Sequence, residues 1–118
     1  MIHVAIGTKA EYIKTAPVLR ELDGRGVDYR IIDIGQHGGL SRAFRAPLGV
    51  PDPVVRLGNG EDAETIGEVI RWALRIVRQT LRSRARIRRD VFADADGICL
   101  VHGDTPSTLF AAVLARRA

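Results

Sequence analysis

The chain has 118 residues, 46% of them hydrophobic and 27% charged, with a mean hydropathy of zero, the composition of one globular domain around a single core. Length excludes two domains of ordinary size, no stretch reaches the roughly 18 uncharged apolar residues of a membrane span, and the one cysteine, Cys99, excludes an internal disulfide. The net charge of +4 and a pI near 10.0 point toward an anionic partner.

Ile2 to Ile6 is a short apolar run rich in β-branched residues that ends at Gly7 and Thr8, the pattern of a buried strand followed by a turn. A helix is predicted over about Ala10 to Leu22, with Ile13, Pro17 or Ala16, and Leu19 to Leu22 at helical spacing and Gly24 and Gly26 as stops. Pro17 predicts a kink or a late start. Tyr29 to Ile34 is a second strand, closed by Gly35. Gln36 to Asn59 is crowded with glycine and proline and holds at most a short helix at Leu40 to Phe44 and a short strand at Val54 to Leu57. A long helix follows, with Glu61 and Asp62 at its positive end and Ile66, Ile70, Ala73, Leu74, Val77 and Leu81 along one apolar face. Ile98 to Val101 is the last strand, and Asp104, Thr105 and Pro106 open a terminal helix with a cap and a first-turn proline.

Alternation of this kind predicts an α/β fold, a parallel sheet with helices on both faces. About four strands are present where a doubly wound domain has five or six, so the sheet reads as an incomplete Rossmann-like unit, the first part of something larger. The start of the chain has no apolar signal region before Lys9, and a cytoplasmic location is expected.

In a parallel sheet, ligands bind outside the carboxyl ends of the strands. Three loops meet there. The first, Gly7 to Lys14, is a strand-to-helix turn whose free N–H groups and dipole favour an anion. It also carries Lys9 and Lys14, the only two lysines among eighteen basic residues. Glu11 lies between them, a local ion-pair partner in the plainer reading. Neither a dinucleotide fingerprint nor a P-loop is present. The second loop, Gln36-His37-Gly38-Gly39, offers an amide and an imidazole beside permissive glycines. The third, His102-Gly103-Asp104-Thr105, offers a carboxylate for proton transfer or for a sugar hydroxyl, with helix capping as the alternative role of Asp104.

His3, His37, His102 and Cys99 have no metal-ligand spacing, so no metal is expected. Arg71, Arg75, Arg78 and Arg82 stack in one stripe, extended by Arg84, Arg86, Arg88 and Arg89. That pattern suits nucleic-acid phosphates, but a solvated helix face is the simpler explanation.

Gly7-Thr8-Lys9-Ala10-Glu11-Tyr12-Ile13-Lys14-Thr15-Ala16-Pro17, then Gln36-His37, then Val101-His102-Gly103-Asp104-Thr105 resemble three successive signatures of the UDP-N-acetylglucosamine 2-epimerases: G-T-R-P-E-x-I-K-x-A-P, Q-H-R and V-H-G-D-T. Lys9 stands where the family has arginine, Ala10 where it has proline, and Gly38 where it has the arginine after Gln-His. The resemblance covers part of the family's first domain. It implies a fold like the GT-B glycosyltransferases, two Rossmann-like domains with the substrate between them, of which residues 1–118 are part of the first and the nucleotide-binding C-terminal domain is absent. The implied reaction interconverts UDP-N-acetylglucosamine and UDP-N-acetylmannosamine without a cofactor. The implied roles are Asp104 as catalytic residue and Lys9, Glu11, Lys14, Gln36 and His37 as substrate-binding residues. A complementary C-terminal chain and a homodimer are the implied protein partners, and the chain alone is expected to be inactive. A non-enzymatic remnant, or a nucleic-acid-binding module using the basic helix from Arg71 to Arg89, is the alternative.

Overall fold

The computed structural model describes residues 1–35, 43, 45–57, 65–80 and 83–118. Its strands are β1 (Ile2–Ile6), β2 (Tyr29–Asp33), β3 (Val55–Arg56) and β4 (Ile98–Leu100). They form one sheet in the order β3-β2-β1-β4, with every neighbouring pair parallel. Ile2 is in register with Tyr29 on one side and Ile98 on the other, so β1 is central, and its residues from His3 to Ile6 are buried. Burial on both faces is why this strand reads as a continuous apolar run rather than an alternating one.

The helices are α1 (Lys9–Gly24), α2 (Ile66–Thr80), α3 (Arg84–Phe92) and α4 (Pro106–Arg117), and residues 45–48 are also helical. Alternate strand side chains separate two cores. Val4, Ile6 and Ile31 pack with Tyr12, Ala16 and Leu19 of α1. Ala5, Ile32 and Ile34 pack with Trp72 and Ile76 of α2, Ile87, Val91 and Phe92 of α3, and Ala111 and Leu114 of α4. The architecture is therefore the predicted parallel α/β sheet with helices on both faces. Each of the buried Val, Leu, Ile and Phe side chains among these contributes about 1.5–3 kcal/mol relative to exposure.

Three local expectations are corrected. The first helix does not start late: it begins at Lys9, because Thr8 and Glu11 form a reciprocal capping box that satisfies two first-turn donors. Its buried face is Tyr12, Thr15, Ala16 and Leu19, while Ile13 is 45% exposed. The long helix is rotated from its predicted apolar face. Trp72 and Ile76 are buried, and Ile66, Ile70, Leu74 and Val77 are exposed. The indole explains this: its Nε1 donates to the carbonyl of Ile34 at 3.3 Å, and its ring meets Phe110 edge-on at 5.2 Å. Burying the largest side chain with its one donor satisfied outweighs a stripe of smaller aliphatics. Finally, the arginine-rich segment is two helices. Ser83 caps α3, its Oγ accepting from Arg86 N, so Arg71, Arg75 and Arg78 are on α2 and Arg84, Arg86, Arg88 and Arg89 on α3. The expected helix at Leu40 to Phe44, the acidic start at Glu61 and Asp62, Leu81 and Arg82 lie outside the described residues, Ala43 excepted. No described helix is long and apolar enough to cross a membrane.

Candidate functional site

Two of the three predicted loops meet at the carboxyl edge of the sheet, and a buried carboxylate joins them. Gly7 follows β1 at the point of closest approach. A β-carbon there would lie 2.3 Å from Cβ of Ser107 on α4, so only glycine lets the first loop sit against the start of that helix. Glu11, 3% exposed, reaches back under the loop. Its Oε2 accepts from Gly7 N at 2.6 Å and Thr8 N at 3.2 Å. Its Oε1 accepts from Ser107 Oγ at 3.0 Å and from the Thr105 hydroxyl, and Thr108 Oγ1 lies 3.3 Å from it. One side chain thus ties the start of α1 to the start of α4 across more than 90 residues of chain.

On the rim above this clamp stand Lys9, half-buried at the first position of α1, and His102 and Asp104, both exposed. Asp104 is not the helix cap. Thr105 caps α4, its Oγ1 accepting from Thr108 N at 3.4 Å, and Pro106 follows. Capping therefore does not account for Asp104, which has no hydrogen bond or ion pair with any described residue. The loop is held from behind by Thr108 Oγ1 donating to the carbonyl of His102 at 2.8 Å, and Gly103 adopts φ +99°, a conformation that L side chains rarely take.

The structure does not bring every predicted residue to this rim. Lys14 is exposed on α1, five residues beyond Lys9, a step of about 140° around the axis and about 7.5 Å along it. Gln36 and His37 lie outside the described residues, although β2, which leads to them, ends at the same edge. Glu11 is present, but its oxygens are taken by protein donors.

Sequence reasoning missed Asp33, the last residue of β2. It is 4% exposed, accepts from Gly35 N at 2.8 Å and from Tyr12 Oη at 3.4 Å, and faces the buried Arg45 guanidinium at 4.0 Å. Burial raises its pKa above the usual carboxylate value, and Gly35 N and Arg45 pull it partly back. Burial likewise raises the Tyr12 hydroxyl. Arg45 also pairs with exposed Asp52 at 2.9 Å, so this network ties the end of β2 to α1 and to residues 45–52. The available signal was an acidic residue after Ile31 and Ile32 at the end of the strand, two residues before Gly35. Thr8 and Glu11 had a signal too, the T-x-x-E spacing of a capping box, whereas the α4 hydroxyls had none.

Elsewhere the chemistry is sparse. Cys99 is half-buried, and burial pushes its thiol up to about 11, the wrong direction for a nucleophile. No group of three or more metal-ligating side chains occurs among the described residues. The basic stripe is divided: Arg71, Arg75 and Arg78 are exposed on α2, while on α3 Arg88 pairs with Asp96 at 2.6 Å and Arg89 with Asp90 at 2.9 Å.

No family model matches the chain. A curated relative, the UDP-N-acetylglucosamine 2-epimerase of Methanocaldococcus jannaschii, is 25% identical over 120 residues, which is 98% of this chain and 29% of the relative. A crystal structure of a UDP-N-acetylglucosamine 2-epimerase superposes with a TM-score of 0.68 at 25% identity, covering 98% of this chain and 28% of that one. The chain is similar, in sequence and in fold, to part of a UDP-N-acetylglucosamine 2-epimerase. It spans less than a third of the length of the epimerases it matches.

Proposed function

We propose that this chain supplies one wall of a nucleotide-sugar site of the UDP-N-acetylglucosamine 2-epimerase type, as part of a first Rossmann-like domain. The observation that carries the reading is the clamped rim: the two loops that resemble the family's G-T-R-P-E and V-H-G-D-T signatures are held against one another at the sheet edge where ligands of parallel folds bind. Lys9 is suited to the diphosphate, as a point charge rather than the two-pronged donor that arginine would be. Asp104, exposed and released from capping, is suited to proton transfer or hydroxyl positioning at the sugar. Lys14, Gln36 and His37 remain substrate-binding residues in this reading. Lys14 acts from further down α1.

The reaction is an elimination followed by an addition. Removal of the proton on carbon 2 and cleavage of the carbon 1–oxygen bond release UDP and leave a 2-acetamidoglucal. Protonation of carbon 2 from the opposite face and re-formation of the carbon 1–oxygen bond give the epimer. Such chemistry requires groups aimed at the transition state from both sides of a closed cleft. Residues 1–118 provide one side, so the chain alone is inactive, and the other side comes from the portion of the relatives that it does not span. A cytoplasmic setting and a homodimer belong to the same reading.

The test is complementation. Mixing the chain with a C-terminal half of a related epimerase should produce UDP-N-acetylglucosamine epimerisation that neither piece shows alone, and Asp104→Asn should abolish it. Undiminished turnover with Asp104→Asn would remove that residue from the chemistry, and turnover by the chain alone would overturn the division of the site.

A further inference from the structure

Glu11 sits between two lysines in a loop whose free amides favour an anion, and from the sequence it is a ligand for substrate or for its neighbours. Its surroundings assign it another task. All four hydrogen bonds reach it from the protein, from two backbone amides at the start of α1 and from the Thr105 and Ser107 hydroxyls in the first turn of α4, with the Thr108 hydroxyl oxygen 3.3 Å away. The hydroxyls are themselves in contact, Thr105 with Ser107 at 2.6 Å and with Thr108 at 3.1 Å, so they form one polar wall. The positive ends of two helices of 16 and 12 residues converge on this one buried carboxylate.

We infer that Glu11 is a positioning residue, the resident anion of an oxyanion nest built by two helix starts, and that it fixes the first loop to the third. The nest takes a small carboxylate, and the protein supplies its own. Two consequences follow. The Gly7 and Thr8 amides at the start of α1, where an outside phosphate would otherwise be drawn, are already occupied, so an incoming anion meets the Lys9 side chain instead. The placement of Asp104 relative to Lys9 depends on a residue that touches neither the sugar nor the diphosphate, a consequence that rests on the function proposed above.

The experiment is chemical rescue of the chain by acetate, the fragment that Glu11→Ala removes. The Glu11→Ala variant should melt well below the parent, and acetate should raise its melting temperature saturably, while chloride and sulfate at equal ionic strength do not and the parent does not respond. Glu11→Gln should melt within a few degrees of the parent, because the amide oxygen can accept from Gly7 and Thr8 while its NH2 donates to the hydroxyl oxygens. Glu11→Asp, one methylene shorter, should not span the gap and should shift the amide resonances of Gly103 and Asp104. Equal rescue by acetate and chloride, or a Glu11→Gln variant as unstable as Glu11→Ala, would overturn the inference. If Glu11→Ala does not fold, the contrast between Glu11→Gln and Glu11→Asp decides alone. None of these readouts contains a nucleotide sugar. A failed complementation with intact rescue would therefore remove the proposed function and leave the clamp, and the reverse result would do the opposite.

Discussion

The helix start beyond the carboxyl end of β1 and the amino-terminal half of the strand itself each carry a buried polar side chain, and the two are treated in opposite ways. In the first turn of α1, Glu11 is 3% exposed and accepts four hydrogen bonds. On the strand, His3 is 2% exposed, and neither ring nitrogen has a hydrogen-bond partner among the described residues. Its ring packs edge-on against Phe92 at 5.0 Å and lines a cavity of about 200 Å³ with Arg88, Asp96, Gly97, Cys99 and Ala118. Burial lowers its pKa. The backbone of Ala95 opposes that in part, and the positive Arg30 and chain terminus reinforce it. The fold commits its polar chemistry to one edge of the sheet. Donors converge on the carboxyl edge and fix two loops, while the amino edge tolerates an imidazole as a neutral packing group at the expense of acid stability.

The largest effect expected from breaking this contrast is at Gly7. Gly7→Ala places a methyl within 2.3 Å of Ser107 Cβ, and relieving that overlap parts the two clamped loops. A loss of about 3 kcal/mol, on the order of 10 °C in melting temperature, is expected. A variant as stable as the parent would mean that the loops are not held together there.

A smaller effect, with a pH signature, is expected at His3. Its folded pKa lies below the ordinary 6.5, so as pH falls through about 6.5 the unfolded chain takes up a proton that the folded chain refuses, and stability falls with it. Above that pH the contribution is constant. His3→Phe keeps the ring contact with Phe92 and removes both unpartnered nitrogens. It should raise stability by about 1 kcal/mol at pH 7.5, by more at pH 5.5, and flatten the slope between them in denaturant titrations. Asp33 works in the opposite sense. With a folded pKa above 3.8, it loses stability as pH rises from that value through its folded pKa, so the slope assigned to His3 is taken as the difference between the parent and His3→Phe.

The smallest effect sharpens the amino edge alone. Ala93, which ends α3 before the cavity-lining Ala95 to Gly97, has φ +52°. Ala93→Gly should add about 0.5–1 kcal/mol and leave the pH slope at His3 unchanged.

How much of this was legible in the sequence follows from the range of each interaction. The strands were readable because parallel strands buried on both faces appear as β-branched runs such as Ile2 to Ile6, and their carboxyl ends then named the loops. The rotation of α2 was not readable. Ile66, Ile70, Leu74 and Val77 make a better stripe than Trp72 and Ile76, and only the Ile34 carbonyl and Phe110, both distant in sequence, choose between them. The helix α3 was hidden because its nine residues include four arginines, with Ile87, Val91 and Phe92 as its buried side. At the site, Lys9 and Asp104 were legible as loop residues at one sheet edge. Glu11 was legible as a charge but not as a clamp, because two of its donors are Thr105 and Ser107, more than 90 residues away. The missing partners of His3 had no signature, since an unsatisfied group is a property of packing alone.

Whether ligand chemistry belongs to the clamped carboxyl edge is decided by a titration of the isotopically labelled chain with UDP-N-acetylglucosamine, followed through backbone amide resonances. Weak, saturable shifts are expected at Gly7 to Lys9 and at His102 to Thr105, lost in Lys9→Met, with Ala95 to Cys99 unmoved. Shifts centred on the His3 cavity, or none at either edge at millimolar ligand, would contradict that placement.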